Sequence, residues 1–221
     1  MALQPIEGQP GLFRDSDTGA IVNIRDFRES DKYDSIVIPS QETIGTGTEI
    51  NFFSDLQGKR LTDTNFATQR KLSAGESMVL DRIGLYFRLA TGNSISSARD
   101  IIRVVENCYY RLSINDILQE EGPAIKFPSG FGLYGNTTEN HTSIVSVGVP
   151  ATASAARLIK KQLLNQNHEL NGVLRFDART WMGAPNPAGF TSTVTVVQPI
   201  LDNPLVITNY LHGLIRSAVT K

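Results

Sequence analysis

Alternation of apolar and other residues is the feature that most restricts what this chain can fold into. Ile83, Leu85, Phe87 and Leu89 fall on one side of a two-residue repeat, and Gly84, Tyr86 and Arg88 fall on the other. Successive side chains of a strand face opposite ways, so this spacing predicts a half-buried β-strand. CYYRLSI (108–114), IVSVGV (144–149), GVLRFDA (172–178), STVTVVQPI (192–200) and PLVITNYLHGLIRSAV (204–219) read as further strands. Shorter ones are expected at 34–39, 48–53 and 64–69, with Gly-Thr-Gly (45–47) and Gly-Lys (58–59) between them. Glu120-Glu121-Gly122-Pro123 reads as a turn, with the two glutamates at a loop tip. Many short strands joined by Gly and Pro turns predict a mainly β chain, an antiparallel β-sandwich.

Two segments depart from that repeat. Ala155, Leu158, Ile159 and Leu163 recur at helical spacing after Pro150, and Ser154 is an N-cap residue type, so one short amphipathic helix is expected over about residues 152–166. Ser97, Asp100, Ile101, Ile102, Val104 and Val105 fit either a short helix or a bent strand.

Residues 1–33 have a different character. Leu3, Ile6, the pair Leu12 and Phe13, the pair Ile21 and Val22, Ile24 and Phe27 are isolated among Gly8, Pro10, Gly11, Gly19 and a mixed-charge run. So little apolar surface cannot offset the conformational entropy of ordering the segment. The expectation is an extended N-terminal arm (1–33) followed by a β-sandwich domain (34–221). Leu12, Phe13, Ile24 and Phe27 are its expected anchors on a neighbouring subunit.

Formal net charge is -1 over 221 residues, far from the basic excess of a nucleic-acid binder. Arg157, Lys160 and Lys161 are read as a solvated helix face. Cys108 is the single cysteine, which rules out an internal disulfide, and its apolar surroundings mark it as a buried, inert thiol. MALQPIEGQPG has neither a basic nor an apolar signal region, and prolines interrupt the uncharged stretch 180–201, so neither a secretory signal nor a membrane span is expected. The Asn136 and Asn140 sequons are read as polar loop.

Candidate chemistry is sparse. Gly130-Phe131-Gly132-Leu133-Tyr134-Gly135 matches a dinucleotide fingerprint in letters, yet a poor helix start follows it and no acidic residue lies about twenty positions on. His141, His168 and His212 lack metal-ligand spacing. No serine sits in a G-x-S-x-G elbow. No enzyme activity, cofactor or metal is therefore expected. Trp181, in the proline-rich ARTWMGAPNPAGF with Phe190, is read as a cap on the sandwich end or as an interface anchor.

CYYRLSINDILQEEGPAIKFPSGFG, then VTVVQPILDN and NYLHGLIRSAV, resemble bacteriophage virion structural proteins built on a jelly-roll sandwich. Leu211, Gly213, Leu214 and Arg216 fill the apolar-x-Gly-apolar-x-Arg pattern of the closing strand, and the resemblance covers about residues 77–219. It implies a non-enzymatic capsid cement or decoration protein, or a minor capsid component, located in the virion after synthesis in the host cytoplasm. It also implies a homotrimer whose partners are the major capsid protein or other virion proteins. A major jelly-roll capsid protein and a tail-fibre or receptor-binding module are the alternatives.

Overall fold

Pairing of strands far apart in sequence organises the molecule. A computed structural model describes residues 3–16, 19–39, 47–89, 101, 104–105, 107–129, 134–136, 144–146, 155–176 and 204–216. Its strands are β1 (Leu3–Pro5), β2 (Leu12–Asp15), β3 (Ile21–Asn23), β4 (Arg28–Ile38), β5 (Glu49–Phe52), β6 (Ser77–Leu89), β7 (Cys108–Ile114), β8 (Ile117–Pro123), β9 (Tyr134–Asn136), β10 (Ile144–Ser146), β11 (Ala156–Asn165), β12 (Leu170–Phe176) and β13 (Leu205–Arg216).

Two four-stranded antiparallel sheets, β11-β6-β13-β4 and β5-β12-β7-β8, enclose a common core. One sheet contributes Leu80, Ile83, Leu85, Phe87, Leu205, Ile207 and Leu211; the other contributes Phe52, Cys108, Tyr110, Leu112, Leu174 and Phe176. The chain is therefore a mainly β, antiparallel sandwich, as its alternation predicts. Setting aside the short β9–β10 hairpin, the pairing is nested. β4 joins β13, β5 joins β12, β6 joins β11, and β7 joins β8.

The expected helix over 152–166 is a strand, β11, across all of Ala156–Asn165. A bulge explains the misleading spacing: between the paired positions Arg157↔Arg82 and Gln162↔Leu80, four residues of β11 (158–161) stand opposite one of β6, Asp81. The extra residues break the two-residue repeat, so Ile159 (95% exposed) and Lys160 are both exposed between the buried Leu158 and Gln162. Arg157, Lys160 and Lys161 accordingly lie on a bulged edge strand and not on a helix face.

Glu120-Glu121-Gly122-Pro123 is also corrected, because it lies within β8. The reversal comes earlier, where Asn115 (φ 49°) and Asp116 (φ 61°) both adopt left-handed backbone, the two-residue hairpin geometry these residue types tolerate. Pro123 ends an edge strand, where its missing N–H costs no ladder bond.

The expected strand at 64–69 is replaced by irregular chain that covers the outer edge of β4. Ser35 N–H donates to the Asp63 carbonyl (2.7 Å), Tyr33 N–H to Asn65 Oδ1 (2.9 Å), and Asn65 Nδ2 to the Asp31 carbonyl (2.8 Å). Mixed side-chain and main-chain bonds thus shield that edge without extending the sheet. Ile101, Val104, Val105 and Asn107 are helical, and Ile101 and Val104 enter the core.

β4 is paired with β13 from Arg28 onward, so residues 28–33 belong to the sandwich sheet. Residues 3–27 contain the separate three-stranded sheet β1-β2-β3, with β1 lying against β11.

Candidate functional site

Two regions stand apart from the apolar core: a polar seam between the sheets and the N-terminal β1-β2-β3 sheet. The seam begins with the register of β4 and β13. Asp34 lies opposite Asn209, Lys32 opposite Leu211 and Ile36 opposite Ile207. Leu205, Ile207 and Leu211 face the core, so the strand repeat turns Asn209 and Asp34 inward as well. Both are fully buried.

A buried carboxylate is costly unless paired and hydrogen-bonded. Asp34 has both compensations. Lys59 Nζ lies 2.7 Å from Oδ1 and 2.9 Å from Oδ2, and Phe53 N–H donates to Oδ2 at 2.7 Å. Lys59 reaches in from the β5–β6 connection and remains slightly exposed. Beside this pair, Lys32 Nζ bridges to Glu76 (2.8 Å) and lies 5.5 Å from the centre of the Phe66 ring.

Asn209 crosses the sandwich. Its Nδ2 donates to the Tyr110 hydroxyl (2.5 Å), while its Oδ1 has no hydrogen-bond partner. Burial pushes the Tyr110 hydroxyl pKa up, and the Asn209 bond partly opposes that shift. The amide fits because residue 172 is glycine: a Cβ there would stand 2.7 Å from Asn209 Nδ2 and 3.0 Å from the Phe53 ring. Aromatic rings wall the seam, with Phe53 and Phe66 centroids 4.8 Å apart and Tyr110 and Phe127 5.0 Å apart.

His212 lies on the outer face of the same sheet. Its Nδ1 is 2.9 Å from Asp31 Oδ1 and its Nε2 is 3.2 Å from the Ser129 carbonyl. An Asp–His pair suggests nucleophilic catalysis, but here the ring meets a carbonyl rather than the serine hydroxyl. Leu85 N–H also donates to the Phe127 carbonyl (2.8 Å), so the ring helps hold segment 127–129 on the sheet. Burial pushes the Cys108 thiol pKa well up, away from the reactive thiolate. Among the described residues, no group of three or more His, Cys, Asp or Glu side chains is placed to hold a metal ion.

Leu12 and Phe13 are half-buried on β2, and Phe27 is half-buried with the Arg216 guanidinium 5.6 Å from its ring centre. Ile24 begins a short 3-10 turn, Ile24–Asp26. Trp181, Phe190 and the greater part of the Gly130–Gly135 motif lie outside the described residues. Leu12, Phe13 and Phe27 lie outside the hydrophobic core.

The seam was missed at the sequence level. Asn209 was open to discovery there, as the one polar residue in the inward series Leu205, Ile207, Asn209, Leu211. Lys59 had no such signal, since it lies in an irregular connection. No protein-family model matches the chain, and comparison with curated proteins and with solved structures gives no match.

Proposed function

We propose that this protein is a non-enzymatic virion structural subunit, a capsid cement or decoration protein or a minor capsid component, built on a jelly roll. The nested pairing supports the jelly-roll assignment: among the described sandwich strands the first joins the last, the second joins the next to last, and the middle two form a hairpin. Its partners are copies of itself, as a homotrimer, and the major capsid protein or other virion proteins.

One observation carries this reading. Residues 3–27 form a sheet with apolar side chains, yet none of its described side chains joins the hydrophobic core. Ile21 is exposed, and Leu3, Ile6, Leu12, Phe13, Val22 and Phe27 are half-buried. A small sheet without a buried apolar face gains its missing burial from a neighbour.

Limited proteolysis of the free subunit tests the reading. The expected product is a folded body beginning near Arg28, and that body should bind capsid shells more weakly than the full chain. Light scattering on the full chain should report a trimer, alone or once bound to the shell. Resistance of residues 3–27 to protease in a free monomer would overturn the assembly role.

A further inference from the structure

We propose that Lys59 and Asn209 form a self-generated amide cross-link, with the Asp34 carboxyl group as proton carrier. This modification goes beyond the assembly role and does not depend on it.

The required groups meet around Asp34, which contacts Lys59 and lies opposite Asn209. Lys59 Nζ is a latent nucleophile whose nearest partner is the fully buried Asp34 carboxylate. Asp34 and Asn209 are directly opposite on antiparallel strands and share the inward face, which places their Cβ atoms about 5 Å apart. Asn209 supplies the electrophilic carbon, Cγ. Its Oδ1 is a buried acceptor with no donor, and the Asp34 carboxyl group on the facing residue becomes a donor once protonated. Phe53, Phe66 and Tyr110, all buried, flank Asp34 and Asn209 and limit the access of water to them.

The balance is that of a transamidation. The Lys59 ammonium passes one proton to Asp34 and becomes a neutral amine, the nucleophilic form. Protonated Asp34 donates to Asn209 Oδ1 and polarises the carbonyl. The Nζ lone pair then forms the Nζ–Cγ bond, and a second amine proton moves by way of Asp34 to Nδ2. The Cγ–Nδ2 bond breaks with its electron pair on nitrogen, and ammonia leaves. No oxidant or reductant enters. Holding amine, acid and amide in one site supplies the proximity that makes an otherwise slow exchange between amides feasible.

The product ties the β5–β6 connection to β13, the last strand of the sandwich. With a single cysteine, this chain has no internal disulfide available for that purpose.

Intact mass of the purified full chain, measured under denaturing conditions, tests the proposal. The expected mass is lower than the sequence mass by one ammonia, and a tryptic digest should contain a branched peptide joining positions 59 and 209. Lys59→Arg and Asp34→Ala should each restore the sequence mass. The wild-type measurement decides the matter even where a variant fails to fold. A wild-type chain at its sequence mass overturns the proposal, as does an ammonia deficit without the branched peptide. A deficit of one water with Lys59 joined to Asp34 overturns the assignment of Asn209 as acceptor.

Discussion

The sandwich and the β1-β2-β3 sheet are both hydrogen-bonded antiparallel ladders, yet they are stabilised differently. In β13, every residue from Leu205 to Asn209 is buried, and the strand lies between β6 and β4. In β1, β2 and β3, Asp15 is the buried residue and the apolar side chains are half-buried or exposed. Ladder bonds replace bonds to water and give a modest net gain, whereas removal of apolar area from water supplies most of the folding free energy. Identical secondary structure can therefore carry a buried apolar face in one place and lack one in another.

Truncation of the core should give the largest effect. Phe52 is fully buried against Phe53 and Tyr110, so Phe52→Ala should lower unfolding free energy by about 4 kcal/mol in urea denaturation. A loss below about 1 kcal/mol would mean that the two sheets do not share one packed interior.

Gly213→Ala comes next. Gly213 sits where the β13–β6 register shifts, and an added Cβ would stand 2.1 Å from the Val79 carbonyl oxygen. Backbone cannot yield there as a flexible side chain would, so a loss of about 2 kcal/mol is expected by the same denaturation measurement. An unchanged midpoint would show that the bulge relaxes freely.

A smaller, pH-dependent effect should come from the junction of the two regions. Burial lowers the His168 pKa below its ordinary 6.5, and Asp15 of β2 opposes that shift. Asn165 N–H donates to His168 Nδ1 (2.9 Å), which suits the neutral ring. The unfolded chain therefore binds the proton at higher pH than the folded one. Stability from this group is present above pH 6.5 and is lost as pH falls through the lower folded value. Denaturation midpoints at pH 7.5 and about 5.5 should differ less in His168→Gln than in wild type; an equal or larger difference in the variant would sink this assignment.

Phe13→Ala should have the smallest effect on the free subunit, within about 0.5 kcal/mol, because Phe13 is half-buried and outside the core. Under the proposed function the same variant should weaken binding to capsid shells. A large loss of stability in the free subunit would erase the distinction between the two regions.

Much of the fold was legible because strand side chains alternate with an invariant period. That rule located β7 at 108–114, a strand whose Tyr110 and Leu112 are buried in the structure. It also distinguished the N-terminal segment, whose scattered hydrophobes cannot close a core, although the start of β4 at Arg28 was hidden in a charged run. Arg28–Asp31 are strand because β13 offers them a ladder, and their own composition contains no sign of it.

Local sequence thus determined the mainly β class, the strands β5, β6, β7, β12 and β13 in their central residues, and the inward face of 83–87, since these depend on periodicity within short windows. Only tertiary structure decided the rest. Pairing with β6 made Ala156–Asn165 a bulged strand despite its helical spacing. Two left-handed residues, Asn115 and Asp116, moved the hairpin ahead of its Gly-Pro signal. The Asp34–Lys59–Asn209 seam joins residues up to 175 positions apart in the sequence. Strand pairing and desolvation act between distant segments, and the free energy of such contacts is set by which surfaces meet.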